Sequence, residues 1–384
     1  MGLVVGQTGE WMDNVALNWI VWVQTGSPFA LGTMNLFRGL PTMLFSLVGG
    51  VVADRIDRRA LMVSSRAIGL GATAGMAALA TFDTLQLWQL YVLLIVRGIT
   101  YAFDSPARSS MIGDLVPRSD ITNAVALHSA VFNGSRMVGP AIAGVLIAAI
   151  GAPFVLWLNA GAYVVVLATL FIMHAPARSG PVSGLSAWGT FLDGVTYVRR
   201  TPVVLVLLLV GIIPFMLGQP YQSMLPVFAT DVFAIGPQGL GMLSSGAAAG
   251  SLVGAFVVSG LGDFPRKGRV MMLGLIGFGS LIALFAVTPW ALLAIVLLFC
   301  AGAAQQLYAT TNSTLVQIIV PSDYRGRVMG VHQLDRGFIP IGSFIIGAIA
   351  QWGGAPFATA LMGCALASVG LALLFVLPRI RGLE

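Results

Sequence analysis

The chain has 384 residues, of which 57% are hydrophobic and only 9% are charged. So few charges cannot cover the surface of a soluble protein of this size, and the mean hydropathy of +0.91 indicates a chain that lies mostly in lipid. Its single lysine, Lys267, is followed by Gly268 and Arg269, which excludes the phosphate-binding loop of an ATP-driven pump. The two cysteines, Cys300 and Cys364, lie in apolar runs and predict neither a disulfide framework nor a zinc site.

Twelve apolar runs in this sequence are long enough to cross a bilayer as a helix, which takes about 20 residues. Turn residues such as Gly26-Ser27-Pro28 and Thr288-Pro289 separate neighbouring runs. We therefore predict an all-α integral membrane protein with twelve transmembrane helices. The predicted spans lie at roughly 3–25, 31–53, 61–82, 87–108, 122–149, 153–173, 203–228, 238–261, 269–288, 290–314, 327–350 and 355–377.

Basic residues are concentrated in alternate connections between the predicted spans, and the other connections carry none. The positive-inside rule places the basic side in the cytoplasm, together with both termini. The net charge of +6 is therefore a topology signal, and we predict no nucleic-acid partner. The basic connections contain Arg55, Arg58 and Arg59; Arg108 and Arg118; Arg178, Arg199 and Arg200; Arg266, Lys267 and Arg269; Arg325 and Arg327; and Arg379 and Arg381.

Recurring motifs indicate that the chain consists of two related halves. A Val-Pro pair precedes both the fifth and the eleventh span, and His128 and His332 follow it at the same spacing. Internal repeats are typical of secondary transporters, whose sites lie where the repeats meet near the bilayer midplane. We predict one six-helix bundle over residues 1–174 and a second over 203–384. The linker between them, 175–202, ends in apolar residues at helical spacing, which predicts a helix on the inner membrane surface.

Eight ionisable residues lie inside the predicted spans, where each costs about 2.5–3.5 kcal/mol at a helix centre. Left unpaired, they would offset the whole stability of a typical protein, so they must pair with one another or face water. Structural ion pairs between helices are one interpretation, and a functional site is the other. The eight are Glu10, Asp13, Arg38, Arg97, Asp104, Arg136, Asp335 and Arg336.

Glu10 and Asp13 lie on one face of the first span, where amide side chains continue a polar stripe. A helix with such a stripe lines a cavity, and two neighbouring carboxyls that are partly buried resist being ionised together. A reversible proton site needs that property. We therefore predict a proton-coupling site with Glu10 and Asp13 as the carriers and Arg97, ahead of Arg38, as their partner. Asp104 is the less favoured carrier, because it lies nearer the cytoplasmic end, beside the helix-breaking Ser105-Pro106.

The predicted spans of the second half are polar without being charged. Amide and aromatic groups in a midplane cavity suit a bulky organic substrate, but they equally suit hydrogen bonds between helices. The substrate-binding candidates are Gln219, Tyr221, Gln222, Gln305, Gln306, Tyr308 and Asn312. No spacing in the sequence indicates a metal ligand set, a cofactor site or the nucleophile–base pair of an enzyme.

The loop after the second span carries a family signature. Residues 50–59, Gly-Val-Val-Ala-Asp-Arg-Ile-Asp-Arg-Arg, resemble the loop 2–3 motif of the major facilitator superfamily, with Asp57 where most members have glycine. This form resembles the branch that contains the enterobactin exporter, and Gly134-x4-Gly139-Pro140-x3-Gly144 is similar to the span-five antiporter motif of exporters. The resemblance, extended to the second half by the repeat, implies a conformational switch that contains Gly50, Asp54, Arg55, Arg58, Arg59, Gly139, Pro140 and Asp263.

The resemblance also implies alternating access between two pseudo-symmetric six-helix bundles. We predict a monomeric, proton-coupled antiporter of the bacterial inner membrane that exports a siderophore or a drug-like molecule and needs no cofactor. A facilitator or a lysophospholipid flippase of the same fold is the alternative within transport. A transport-dead sensor or assembly partner is the alternative outside it, although such a protein gains nothing from charges at the midplane.

Overall fold

The computed structural model describes residues 2–173, 187–262 and 265–376, and these residues form helices and turns, with no strand among them. A helix lies in the predicted linker, α7 (Ala187–Arg200). The six helices before it are α1 (Gly2–Thr25), α2 (Pro28–Arg55), α3 (Arg58–Thr81), α4 (Leu87–Leu115), α5 (Ile121–Ile150) and α6 (Ala152–Ile172).

The helices after the linker begin with α8 (Pro202–Val232), which contains two π-helical turns. It is followed by α9 (Gly236–Leu261), α10 (Lys267–Val287) and α11 (Ala291–Ile319). The last helical run, Ser322–Val376, is divided at Gly354, whose φ of 81° is not helical, into α12 (322–353) and α13 (355–376). A 3₁₀ segment, Gln333–Phe338, interrupts α12.

Side chains at the helix starts explain two of the turns. The hydroxyl of Ser27 accepts a hydrogen bond from the backbone N–H of Ala30 at 3.2 Å, and so caps α2. Asp57, the residue that departs from the family motif, caps α3 by accepting a hydrogen bond from the N–H of Ala60 at 2.7 Å. The departure from glycine therefore stabilises the start of α3.

The end of α4 differs from its predicted position. The helix continues through Pro106 and ends at Leu115, whereas the predicted span ends at 108. Proline inside a membrane helix removes one backbone hydrogen bond and need not end the helix. Asp104 therefore lies well inside α4 and not at its end.

Twelve of these helices, α1–α6 and α8–α13, cross the membrane, as the sequence predicted. Within the described ranges, seven stretches are apolar enough to be identified by hydropathy alone: α5, α6, α8, α9, α10, α11 and the joined α12–α13 run. Helices α1–α4, which carry most of the charges of the first half, are not among these seven stretches. Large apolar side chains such as Trp352 and Leu292 are 94% and 77% exposed, as expected of a protein whose solvent is lipid.

The two halves form bundles with the same internal arrangement. In the first bundle α2 packs on α4, α3 packs on α4 and α6, and α1 packs on α5. In the second bundle α9 packs on α11, α10 packs on α11 and α13, and α8 packs on α12. Each pair in the second list is the counterpart of a pair in the first, so the architecture is two pseudo-symmetric six-helix bundles. Residues 174–186 lie outside the described residues, and the domain boundaries at 175–202 remain a prediction.

Two close contacts, here called the glycine seams, join the bundles. In the first seam α2 meets α12, and a methyl group on Gly32 would lie 3.1 Å from the Cα atom of Gly347. In the second seam α5 meets α9, and a methyl group on Gly144 would lie 3.1 Å from the Cα atom of Gly241. Because only glycine leaves room for backbones this close, the seams are specified by sequence.

The seams lie at the end of the molecule away from the arginine-rich connections. Two hydrogen bonds close the same end: Trp22 Nε1 donates to Thr230 Oγ1 at 2.7 Å, and Ser27 Oγ donates to Gln351 Oε1 at 2.8 Å. Both bonds run between the bundles. The bundles are therefore in contact at this end and separate toward the other.

Helix α7 is attached to the beginning of α12. Tyr197 stacks on Tyr324 with ring centroids 4.6 Å apart, and Asp193 lies 3.5 Å from a guanidinium nitrogen of Arg327. The linker helix therefore rests on the second bundle at the arginine-rich end.

Candidate functional site

A cavity of about 890 Å³ lies between the bundles. Helices α1–α6 line it from the first bundle, with α5 and α6 contributing Phe132 and Tyr163, and α12 lines it from the second, together with Phe191 of α7. It extends to the arginine-rich end, where the lining residues Gly326 and Gly330 are exposed, and the glycine seams close it at the other end. Sites of this volume between helices are typical of small-molecule binding.

One buried arginine on the cavity wall binds two carboxylates. Arg66 Nε and Nη2 donate to the two oxygens of Asp104 at 2.9 and 2.6 Å, and Nη1 donates to Glu10 at 2.9 Å. The Arg66 side chain is only 7% exposed, and its guanidinium lies 5.4 Å from the ring centre of Tyr163. The fork geometry of arginine makes such a double pair both strong and directional. Two negative charges thus share one positive charge.

Arg66 is the residue that sequence reasoning missed. It is the sixth residue of the predicted third span, yet it is not among the eight ionisable residues predicted inside spans. A count of the basic residues could have found it, because the predicted connections and spans account for only 19 of the 20 Lys and Arg residues. Its position near the end of a span made it resemble a loop arginine.

Asp13 forms a separate pair, with Arg97. Arg97 Nη1 donates to Asp13 Oδ2 at 2.7 Å, and Asp13 is completely buried. The predicted proximity of these two residues is confirmed. The second carboxylate oxygen, Oδ1, is buried and has no hydrogen-bond partner among the described residues. Glu10 and Asp13 therefore belong to two ion pairs with different arginines, and not to one site around Arg97.

Three other charged residues predicted inside spans, Asp335, Arg336 and Arg136, do not form ion pairs with one another. Asp335 Oδ2 lies 3.1 Å from Nδ1 of His332, and Asp335 Oδ1 accepts a hydrogen bond from the backbone N–H of Arg336 at 2.7 Å, not from its side chain. Arg336 lines the cavity, and its side chain forms no ion pair within the described ranges. Arg136 lies over the ring of Trp11, 5.8 Å from its centre.

Arg38 lines the cavity from α2 and also lacks a counter-ion in direct contact among the described residues. Its Nη1 atom is buried without a hydrogen-bond acceptor there. Arg38 is within electrostatic range of Asp13, whose carboxylate is already paired with Arg97. The positive charge of Arg38 is therefore only partly compensated.

The seven substrate-binding candidates of the second half do not line this cavity. The Tyr308 hydroxyl donates to the carbonyl oxygen of Val210 at 2.9 Å, and Asn312 donates to that of Leu207 at 3.1 Å. Tyr308 and Asn312 therefore form hydrogen bonds between helices, which was the alternative interpretation of these candidates. Two of the other candidates form hydrogen bonds within their own helix: the amide nitrogen of Gln222 donates to Gln219, and that of Gln306 donates to Thr310. Besides Tyr308 and Asn312, the candidates are Gln219, Tyr221, Gln222, Gln305 and Gln306.

The second bundle contributes a different set of polar residues to the cavity. Gln333 and Arg336 belong to the 3₁₀ segment of α12, and Ser343 lies one turn beyond that segment. A 3₁₀ helix has fewer residues per turn than an α-helix, so it changes which residues of this segment face the cavity. An α-helical periodicity applied to residues 333–338 would therefore assign the wrong residues to the cavity.

The predicted switch residues that the structure describes lie near the end of α2, at the start of α3 and within α5. Gly50 lines the cavity, and Arg59 donates to the carbonyl oxygen of Phe171 at 2.8 Å. A methyl group on Gly139 would lie 2.8 Å from the Cβ atom of Trp11, so Gly139 brings α5 close to α1. Pro140 is buried beside it within α5, and Arg58 begins α3. The side chains of Asp54 and Arg55, and all of Asp263, lie outside the described part of the chain.

Comparison with known proteins gives the following relatives. A family model described as "transmembrane secretion effector" matches residues 1–383. The chain is 29% identical to YfiS of Bacillus subtilis, an uncharacterized MFS-type transporter, over 97% of this chain and 91% of the relative. It is 26% identical to the staphyloferrin A transporter of Staphylococcus aureus, over 97% and 94%. It is also 26% identical to the multidrug efflux pump Tap of Mycolicibacterium fortuitum, over 98% and 94%.

Solved structures give the same fold. A bacterial homologue of the human lysosomal transporter Spinster, in an inward-facing and unoccupied conformation, matches with a TM-score of 0.80 at 16% identity. The alignment covers 99% of this chain and 96% of that one.

Proposed function

Because the chain belongs to the major facilitator family of transmembrane secretion effectors, we propose that it is a proton-coupled exporter of a small organic molecule. Members of this family are transporters and not enzymes. We further propose that it works as a monomer in the bacterial inner membrane, with both termini in the cytoplasm. The basic connections would then lie on the cytoplasmic side, where the positive-inside rule expects them.

The observation that carries the proton coupling is the sharing of Arg66 by Glu10 and Asp104. With both carboxylates ionised, Arg66 balances only one of them, and Arg108 and Arg97 of α4 also act on Glu10. A conformation that moves those two arginines away while shielding the cluster from water would favour the uptake of one proton. The cluster forms part of the cavity wall, so water and substrate reach it in this conformation.

Alternating access follows from the two ends of the cavity. The seams hold one end closed while the arginine-rich end is open. In the opposite conformation the arginine-rich end would close, and we assign that closure to Asp54, Arg55, Arg58 and Arg59 after α2, with Asp263 as their repeat-related counterpart. Gly139 and Pro140 would let α5 adjust against α1 during the change.

The substrate class that we propose is a siderophore or a drug-like molecule. A cavity of about 890 Å³ accommodates a molecule of that size. One relative is named for staphyloferrin A and another for multidrug efflux, and both match this chain over nearly its whole length.

The test is export by everted membrane vesicles from an efflux-deficient host that expresses this protein. The vesicles are acidified inside by respiration and report their pH gradient through the quenching of an acridine dye. Compounds from a siderophore and drug panel that restore growth of the host should release the quenching, because each exported molecule is exchanged for protons. Equilibration of a compound without any change in dye signal would instead indicate a facilitator.

Topology gives a separate prediction. Cysteines introduced at Ser27 and Asp231 should react with an impermeant maleimide added to intact cells, because both positions lie at the end away from the basic connections. A cysteine at Ser179, in the predicted cytoplasmic linker, should not react. The native Cys300 and Cys364 are both exposed on the protein surface and must first be replaced by serine. Labelling at Ser179 in intact cells would overturn the orientation.

A further inference from the structure

We propose that the cavity selects an anionic organic substrate, and that Arg38 and Arg336 bind its carboxylate groups from opposite bundles. The inference rests on the proposed export function and specifies the substrate of the same cavity.

The charges on the cavity wall do not cancel locally. Arg97 is paired with Asp13, and Arg327 with Asp193. Arg38 and Arg336 are the lining arginines without an ion pair in the part of the chain that the structure describes. In the Arg66 cluster the imbalance has the opposite sign, because two carboxylates, Glu10 and Asp104, bind one arginine. The wall therefore has one region that can accept a proton and another that can accept an anion.

The two arginines lie on either side of the contact between α2 and α12. Gly39, next to Arg38, packs against Pro340, and Met43 of α2 lies 2.8 Å from a methyl group placed on Gly337, next to Arg336. Arg38 thus lines the cavity from the first bundle and Arg336 from the second. An anion held between them would contact both bundles, which is the arrangement that lets a ligand influence how the bundles move.

A third arginine strengthens the positive field. Arg136 of α5 is within electrostatic range of Arg336, and it lies over Trp11, which lines the cavity. Arg136 and Arg336 repel each other, and an anion bound near Arg336 would offset that repulsion. Trp11 and Phe132 also line this region and form an edge-to-face pair, 5.9 Å between centroids, against which a ring of the substrate can pack.

The experiment compares two dyes that share a xanthene ring system and differ in charge: 5-carboxyfluorescein, a polyanion, and rhodamine 6G, a cation. Fluorescence anisotropy measures the binding of each dye to the purified protein in nanodiscs of uncharged phosphatidylcholine. We expect carboxyfluorescein to bind more tightly than rhodamine 6G, and its affinity to fall as salt is added.

Substitution locates the anion. Charged hydrogen bonds of this kind correspond to about tenfold to a hundredfold in affinity, so Arg38→Gln and Arg336→Gln should each weaken carboxyfluorescein binding by at least about tenfold. Arg38→Lys should restore part of the loss, since it keeps the charge. Arg269→Gln is the control: it removes an exposed charge at the start of α10, outside the cavity, and should change the affinity less than about threefold by the same scale.

The inference is overturned if rhodamine 6G binds more tightly, if neither dye binds, or if the two Gln variants, folded by size-exclusion chromatography, bind carboxyfluorescein like the wild type. Its failure can be distinguished from failure of the proposed function by moving the dyes across proteoliposome membranes. Arginine-dependent binding without pH-driven movement leaves the anion site intact and argues against export. Proton-driven movement of rhodamine 6G that does not depend on Arg38 would support export and argue against the anion site.

Discussion

Glu10→Gln is expected to abolish export driven by a pH gradient and to leave substrate exchange at equal pH largely intact. The substitution removes one of the two carboxylates that share Arg66, and the remaining cluster of Arg66 and Asp104 is already neutral. It then has no net charge for a proton to cancel. Since one pH unit is worth about 1.36 kcal/mol per proton, a wild-type exchanger accumulates substrate about tenfold per unit, and the variant should not accumulate it at all.

The same structure makes the variant a fair test, because Arg66 keeps its two-pronged bond with Asp104 and no buried charge loses its last partner. Asp104→Asn is the harsher change, since Glu10 binds Arg66 through one oxygen only. Asp193→Asn, which removes a carboxylate at the linker helix, should leave accumulation unchanged. Accumulation by Glu10→Gln in a pH gradient at the wild-type level would mean that the proton uses another group or that export is not proton-coupled.

Asp13→Asn should behave differently from Glu10→Gln. Among the residues that the structure describes, Asp13 is the sole carboxylate bonded to Arg97, and it is completely buried, so its loss leaves a buried arginine without an ion-pair partner there. Breaking such a pair costs about 3–5 kcal/mol. We expect a lower temperature of unfolding in nanodiscs for Asp13→Asn and little change for Glu10→Gln. Equal thermal stability of the two variants, with transport lost in both, would restore Asp13 as a proton carrier.

The architecture could be predicted from the sequence because hydropathy and the distribution of arginines are one-dimensional signals. A span needs only its length and composition to be identified, and the basic connections alternate along the chain whatever the packing is. The end of α4 was missed because Pro106 is a strong local stop signal in water but a tolerated one in a membrane helix.

The site was predicted less well, because the sequence gives the depth of a side chain and not its partner. The spacing of Glu10 and Asp13 indicated one polar face, but the 60° between them is enough to direct one to Arg66 on α3 and the other to Arg97 on α4. In the second half, Tyr308 and Asn312 have the right depth for a substrate but are turned toward α8. The rotation of a helix about its own axis follows from packing, which no single-sequence pattern contains.

Gly144→Leu is expected to stop transport by holding the bundles apart at the end where they now touch. A side chain on Gly144 would begin 2.6 Å from the carbonyl oxygen of Pro237, and the reciprocal Gly241 packs as closely against α5. Both obstacles are backbone atoms, which cannot move aside by changing rotamer. Overpacking costs about 1–3 kcal/mol when neighbours can adjust and more when they cannot, and each 1.4 kcal/mol shifts a two-state equilibrium about tenfold.

The displaced equilibrium can be detected without a substrate. Ser343 is 3% exposed and lies in the cavity wall beside the first seam. An impermeant maleimide added outside the cell can therefore reach a cysteine at this position only when the seams open. In intact cells, with Cys300 and Cys364 replaced, Ser343→Cys should be labelled at least about tenfold faster when combined with Gly144→Leu. Gly161→Leu is the matched control: Gly161 lies exposed on α6 with no neighbour within 4 Å among the described residues, so the larger side chain meets only lipid. If Gly144→Leu is labelled no faster than this control and still transports, α5 and α9 are not the contact that closes the cavity.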